Sequence, residues 1–380
     1  LRDPQDNFSR AGIHRGNWTE SDEPQRQSTI LGLRMKIVRT VSELRSALEP
    51  VRRATPHRPI HARAVAGIEG ANGVGTTIGL VPTMGALHEG HLSLIGSARA
   101  QCEYVVVSLF VNPAQFEEGA DLALYPRREA EDARLAEGAG ADILFAPSSE
   151  EVYPEGFSTA VEVFGLTDRL EGASRGASHF RGVTTVVTKL LCMVGPDVAY
   201  FGQKDAQQVV VIRRLVADLN LPVRVEVCPT MREADGLAMS SRNALLSPED
   251  RERALALGAA LRAAAASAGK GERSAATLLA AAADAMAPFG VEPEYLALVD
   301  PDTFEPVARL EAPALLAVAA RVGATRLIDN ETLYPVLRPV PQPPMQLTSN
   351  RTAVSVPQPA VRTPDPDQPD PREAQTTCSA

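Results

Sequence analysis

The fifteen residues VPTMGALHEGHLSLI, Val81 to Ile95, set His88 and His91 around Glu89-Gly90 where a short apolar run gives way to a helical pattern. Residues three apart share a helical face, so both imidazoles point the same way. A helix start carries unpaired N–H groups and a partial positive charge, and it holds anions. Gly90 has no side chain to keep a phosphate or a base away from the backbone. Two imidazoles beside a phosphate chain can donate hydrogen bonds and offset charge on an α-phosphate during adenylyl transfer. Taken alone, the pair is also an ordinary surface or cap feature. A zinc site is disfavoured because HEGH lacks the i, i+4 spacing of the zinc-protease helix and no cysteine lies nearby.

Three further clusters carry chemistry. Asn112-Pro113-Ala114-Gln115-Phe116 follows an apolar run, and its uncharged amides suit the hydroxyl and carboxylate groups of a small substrate, although Asn-Pro is also a common turn. Gly202-Gln203-Lys204-Asp205 follows Val198 to Phe201 and leads into Gln207-Gln208. Gly202 lets the loop pass close to a ligand, Lys204 is a point charge suited to phosphate, and Asp205 suits either a helix cap or a ribose. Met239-Ser240-Ser241-Arg242-Asn243 offers hydroxyls and a guanidinium, which can clamp a triphosphate and neutralise departing pyrophosphate. It also reads as a polar turn before a helix capped by Ser247 with Pro248 in its first position. No Walker-type G-x-x-x-x-G-K-[ST] occurs, so a nucleotide would not be held by a P-loop.

These clusters need elements to position them. Strands are expected at Ile78 to Pro82, Tyr104 to Val111, Asp142 to Ala146, Val198 to Phe201 and Val223 to Val227. Helices are expected near Leu92 to Gln101, Ala130 to Glu137, Thr184 to Val194 and Ala206 to Asp218. Alternating βα units imply an α/β fold with a parallel sheet covered on both faces, whose ligands lie beyond the carboxyl ends of the strands. An initial strand and helix follow Met35, with Ser42 as the cap; MKIVRTVSELRSAL reads as a natural protein start. After Asp250 an Ala-rich helical stretch, Arg251 to Ala287, precedes strands near Glu294 to Val299 and Ala314 to Val322, marking a smaller α+β domain.

The expected organisation is therefore a Rossmann-like nucleotide-binding domain over 35–230 and a smaller C-terminal α+β domain over 231–337. Residues 1–34 lack periodicity and 338–380 are proline-rich, so both are expected to be disordered, and 54–75 reads as an irregular insertion. With 380 residues and 44% apolar content, the chain can bury a substantial core. A net charge of −9 argues against a nucleic-acid partner. Four scattered cysteines imply neither a disulfide framework nor a zinc ribbon, and a cytoplasmic location without a membrane span is expected.

Six segments together, MGALHEGH (from Met84), FVNPAQF (from Phe110), YPR (from Tyr125), HFRGV (from His179), FGQKDAQQ (from Phe201) and READGLAMSSRN (from Arg232), resemble the pantoate–β-alanine ligases in order and spacing. That family belongs to the H-x-G-H adenylyl-transferring superfamily. The resemblance covers Met35 to about Asn330. It implies ATP-dependent condensation of (R)-pantoate with β-alanine through a pantoyl adenylate, releasing AMP and diphosphate. It further implies ATP contacts from Met84, Gly85, Ala86, Leu87, His88, Glu89, Gly90 and His91. Gly202, Gln203, Lys204 and Asp205, with Met231, Met239, Ser240, Ser241 and Arg242, would add to them. His91 would be the proton donor, with His88, Lys204 and Arg242 sharing the catalytic work. Gln115 would touch pantoate and β-alanine, Gln208 pantoate, and Asp132 the Mg²⁺ that accompanies ATP. A homodimer is implied too, as is a lid-like role for 231–337 over ATP. The chain departs from the family at Gln203, usually Glu, and at Ala206, usually aromatic.

Overall fold

The structure, a computed structural model, describes residues 35–53, 77–116, 122–123 and 125–336. The expectations for 1–34, 54–75 and 338–380 lie outside the described residues.

Strand β1 (Lys36–Val38) leads into helix α1 (Val41–Arg53). The cap of α1 is not Ser42: the Thr40 hydroxyl accepts the Glu43 N–H at 3.1 Å, and the Glu43 carboxylate accepts the N–H groups of Arg39 and Thr40. This reciprocal box two residues earlier satisfies more orphan donors than Ser42 could. There follow β2 (Ile78–Thr83), α2 (Glu89–Gln101), β3 (Tyr104–Leu109), α3 (Glu129–Gly138), β4 (Ile143–Phe145), α4 (Glu171–Arg175), α5 (Ala177–Val194), β5 (Val198–Gly202), α6 (Ala206–Asp218) and β6 (Arg224–Cys228). The five expected strands and four expected helices of this region are present, with ends moved by a few residues. The largest shift is in α5, which begins seven residues before Thr184.

The sheet is parallel throughout, in the order β1-β4-β3-β2-β5-β6. Alternate residues feed opposite faces, as the pleat requires. Leu80, Val106 and Ile143 pack with α1, α5 and α6 through Leu44, Leu48, Leu190 and Ile212. Val81, Val105, Val107 and Leu144 pack on the other face with Leu94, Ile95 and Ala98 of α2 and Ala136 of α3. From β2 the chain steps to β3 and β4 on one side, then crosses to β5 and β6 on the other. The carboxyl ends of β2 and β5 therefore flank a topological switch point, where open α/β sheets form their crevice.

Beyond β6, α7 (Pro248–Gly269) and α8 (Ala275–Met286) cover an antiparallel sheet of β7 (Pro293–Val299), β8 (Ala314–Val322) and β9 (Thr325–Leu333). Ser247 caps α7 by accepting the Asp250 N–H at 3.0 Å, with Pro248 in the first position, as its sequence suggests. Two expectations are corrected. The helical stretch read as Arg251 to Ala287 is two helices, separated at Gly271 with φ +96°, a conformation that favours glycine. The strand β9 was not foreseen, because TRLIDNETL is too polar to signal a buried strand; it pairs with all nine residues of β8 across a tight turn at Gly323. The described residues form one compact unit, in which the second sheet has its own core of alanine and leucine side chains.

Candidate functional site

The loop leaving β2 is set by backbone geometry and one carboxylate. Gly85 has φ +93° and Ala86 φ +50°, so the chain turns through two left-handed residues before the helix. Asp132 of α3 holds this turn: its two oxygens accept the N–H groups of Ala86 at 3.0 Å and Leu87 at 2.7 Å. Hydrogen bonds to a charged acceptor contribute about 1.5–3 kcal/mol each, enough to offset the strain of a left-handed alanine. A Cβ on Gly85 would lie 3.1 Å from the same carboxylate, so only glycine fits without displacing Asp132. Burial pushes the Asp132 carboxyl upward, while the two amides draw it down. The side chain is 2% exposed and engaged with the turn, which gives it a shaping role. Among the described residues no group of three or more His, Cys, Asp or Glu could hold a metal.

His88 is the N-cap of α2. Its Nδ1 accepts the Gly90 N–H at 3.1 Å, and the Nδ1 of His91 reaches back to accept the His88 N–H at 3.4 Å, completing a capping box built from two imidazoles. A ring nitrogen that accepts an amide N–H carries no proton, so each neutral imidazole bears its hydrogen on Nε2. The rings lie 4.1 Å apart between centroids. A Cβ on Gly90 would come within 2.9 Å of the His88 ring, so the glycine is what allows that ring to fold over the helix start. Burial lowers the His88 pKa to about 4, with the Lys204 charge adding to it, and lowers that of His91 to about 3, with His88 and Lys204 adding. Both histidines therefore stand at neutral pH as fixed N–H donors.

Across the switch point, Gly202, Lys204 and Asp205 leave β5 and line the same cavity. The Lys204 Nζ lies 3.6 Å from Asp205. Asp205 occupies the cap position of α6 but makes no side-chain cap bond, so the capping alternative is not realised. Gln203 turns away toward β9, where its Nε2 donates to Asn330 at 3.4 Å. Of the paired glutamines, Gln208 lines the cavity. Gln207 is buried, accepting the Glu171 N–H and donating to the carbonyls of Leu166 and Arg169.

The third contribution leaves β3. Asn112 is 1% exposed; its Nδ2 donates to the Gln115 side chain at 3.1 Å and to the Gly182 carbonyl at 3.1 Å, and its Oδ1 accepts the Tyr153 hydroxyl at 2.8 Å. Gln115 thus has its amide oxygen occupied, while its Nε2 lies 2.9 Å from the Met84 sulfur. Gly182 permits the approach of α5: a Cβ there would sit 2.2 Å from the Ala114 carbonyl. The His179 ring nitrogen Nδ1 is 2.9 Å from the Gln115 carbonyl.

The fourth contribution is the segment 231–243. It doubles back on itself, with the Met239 N–H donating to the Met231 carbonyl at 2.9 Å. Ser240 then caps a short 3-10 turn by accepting the Arg242 N–H, and the Ser241 hydroxyl donates to the Ala86 carbonyl at 3.3 Å. Ser241 therefore ties this segment to the histidine loop, while Met231, Met239, Ser240, Ser241 and Arg242 line the cavity.

All four contributions meet at one cavity of about 270 Å³. Of the expected ligand contacts, Met84, His88, Gly90, His91, Gln115, Gly202, Lys204, Asp205 and Gln208 line it, together with the segment just described. Gly85, Ala86, Leu87, Glu89 and Gln203 do not; the first three shape the turn, and Glu89 faces outward. Sequence reasoning missed an apolar wall of Val183, Val186, Val187 and Leu190 on α5, whose helical spacing reads only as core. It also missed Glu171, Arg175, Tyr295, Asp329 and Asn330. Glu171 joins α4 to the second sheet: its carboxylate takes a two-pronged contact from Arg326 at 2.7 and 2.8 Å, a hydroxyl from Tyr295 and a guanidinium from Arg175. Burial would raise its pKa, but Arg326, Arg175 and Tyr295 outweigh that and hold it at about 2.

The chain is similar to known proteins over most of its length. A family model described as Pantoate-beta-alanine ligase matches residues 36–332. A pantothenate synthetase of Acidobacterium capsulatum is 51% identical over 301 residues, 79% of this chain and 97% of that protein. The crystal structure of pantothenate synthetase from Thermus thermophilus is 46% identical, with a TM-score of 0.70, and covers 79% of this chain and 100% of its own. That of the Francisella tularensis pantoate-beta-alanine ligase, complexed with beta-gamma ATP and beta-alanine, is 32% identical with a TM-score of 0.62, covering 78% and 97% respectively. With the family pattern spanning both sheets and every wall of the cavity, this chain belongs to the pantoate–β-alanine ligase family.

Proposed function

We propose that the chain condenses (R)-pantoate with β-alanine at the expense of ATP, and that the cavity at the β2/β5 switch point is where it does so. The observation that carries this reading is the meeting of two Nε2–H donors and the cations Lys204 and Arg242 with the uncharged amides of Gln115 and Gln208 around one space. Cations and donors suit a triphosphate; amides beside an apolar wall suit a small acid carrying hydroxyl and methyl groups.

In the first step a carboxylate oxygen of pantoate attacks the α-phosphorus. The bond from that phosphorus to the bridging oxygen breaks, and diphosphate leaves with its electron pair. His88 and His91 donate hydrogen bonds to oxygens that gain charge, while Lys204 and Arg242 offset charge on the phosphates. In the second step the neutral amine of β-alanine attacks the acyl carbon of the pantoyl adenylate. The acyl–oxygen bond breaks, AMP departs, and the surplus amine proton passes to solvent. Proximity supplies much of this step, and no enzyme nucleophile is required.

Gln115 and Gln208 are proposed to hold pantoate, with Gln115 also meeting β-alanine. Mg²⁺ is proposed to enter with ATP, held by the phosphates and not by Asp132. The part comprising 231–337 is proposed to act as a lid over ATP, since it contributes Met239 to Arg242, Asp329 and Asn330 to the cavity wall. A homodimer in the cytoplasm is the proposed working form. Phe164, 81% exposed, suits an apolar interface. Cys102 and Cys228 are buried free thiols, and no helix among the described residues is long and apolar enough to cross a membrane.

The deciding experiment measures diphosphate release with ATP and Mg²⁺ while pantoate and β-alanine are omitted in turn. Release should require pantoate, and pantothenate should form only with both acids present. Release that is indifferent to pantoate would overturn the reading.

A further inference from the structure

We propose that Asp329 and Asn330, neighbours on β9, are positioning residues that set the separation of the two ATP-binding segments. The inference rests on the ligase reading for the identity of the ligand, but its geometry stands apart from it.

Asn330 is 5% exposed, and its Nδ2 donates to the carbonyls of Gln203 at 3.0 Å and Lys204 at 2.8 Å. Its whole donor capacity is spent on the loop that presents Lys204. Asp329 is 3% exposed and receives the Arg232 guanidinium through two parallel contacts, at 2.6 and 3.0 Å. Arg232 stands at the base of the segment ending in Arg242, where an antiparallel bridge to Ala238 fixes its register. It also donates to the Gly236 carbonyl at 3.2 Å. The Asp329 carboxylate additionally accepts the Asn330 N–H at 2.8 Å, which joins the two anchors.

Successive strand residues project to opposite sides, so two neighbours on one strand can hold two different segments. The planar guanidinium–carboxylate pair fixes direction as well as distance. Lys204 and Arg242 come from segments nearly forty residues apart in sequence, and β9 ties both loops to a single rigid element. Losing either anchor lets one phosphate contact drift relative to the other, with Gln115 and Gln208 left where they are.

The test uses the full chain with Asn330→Ala, Asp329→Asn and Arg232→Gln, the last altering the Asp329 anchor from the loop side. Steady-state KM values for ATP and pantoate are measured, with equilibrium binding of a non-hydrolysable ATP analogue. Each variant should raise the KM for ATP and weaken analogue binding roughly tenfold or more, with the KM for pantoate within about twofold. Arg232→Lys, which keeps the charge but not the paired geometry, should recover part of the ATP affinity. Unchanged ATP affinity, or equal losses for ATP and pantoate, would overturn the inference. Should the strand variants fail to fold, the Arg232 pair decides it. Should wild-type diphosphate release prove independent of pantoate, the ligase reading fails while analogue binding still tests the anchors.

Discussion

The histidine wall and the lysine–arginine wall of the cavity are built on different length scales. In the first, the capping box of His88 and His91 closes within four residues, and Gly90 makes room for the ring that caps it. In the second, Lys204 is held by a side chain 126 positions away and Arg232 by one 97 positions away. A wall of the first kind is specified by local sequence and forms with its helix. A wall of the second kind exists only once both sheets have packed. Substitutions should therefore act locally and chemically on the first wall, and at a distance, through ATP affinity, on the second.

The largest effect is expected where local and distant construction meet, at Gly182. A valine there would drive α5 away from the Ala114 carbonyl, displace Gln115 and cost about 1–3 kcal/mol or more of stability. Activity with pantoate should fall by roughly two orders of magnitude, measured as kcat/KM beside thermal unfolding. An active, stable Gly182→Val protein would show that the Gln115 turn adapts. Next comes His91→Ala, which removes one donor to the phosphates and should lower kcat by about 10²-fold with a folded protein. A near-normal rate would make the imidazole a cap alone. Gly90→Ala is milder: it crowds the His88 ring without deleting it, and a loss of about tenfold in kcat is expected, since displaced catalytic groups lose rate steeply.

Legibility in the sequence followed the same division. The H-x-G-H loop, the Asn112 to Phe116 turn and the Gly202 to Asp205 loop were readable because each sits at the end of a strand with a clear apolar signature, and their side chains act near where they are encoded. The parallel sheet was readable for the same reason. The apolar wall of α5 was not, since Val183, Val187 and Leu190 have the spacing of any core helix and nothing local marks the few that face a cavity. Nor was β9, whose Asp329 and Asn330 are buried polar groups that make sense only beside Arg232 and Lys204. The shaping role of Asp132 is equally hidden, because its carboxylate accepts backbone N–H groups of a turn more than forty residues earlier.

A pH experiment sharpens the contrast between the walls. Folded His88 and His91 take up protons only near pH 4 and 3, whereas in the unfolded chain they do so near 6.5. Between these values the unfolded state binds more protons, so stability rises with pH. It should be fully present above about pH 6.5 and be lost progressively as pH falls toward 4 and then 3. Replacing both histidines with glutamine should flatten that slope in urea titrations; an unaltered slope would place its origin elsewhere. Glu171, paired with Arg326, acts in the same sense over a lower pH window. Its lowered pKa gives stability that is present above the ordinary carboxylate range and lost as pH falls through about 2. The smallest effect belongs to Gln203→Glu, at a position outside the cavity. Its bond to Asn330 is long, at 3.4 Å, so ATP affinity should change by no more than about threefold.

The buried, neutral state of the two imidazoles has a consequence for proton traffic during binding. Their Nδ1 atoms are committed to backbone N–H groups, so either ring could gain a proton only by giving up its half of the capping box. Phosphates arriving nearby favour the charged form, but they would have to raise each pKa by several units and break those contacts to do so near pH 7. Association with ATP should therefore proceed with almost no net proton uptake by this pair. Titration calorimetry in buffers of differing ionisation enthalpy should then give the same proton uptake for the wild-type chain and for the variant with both histidines replaced by glutamine.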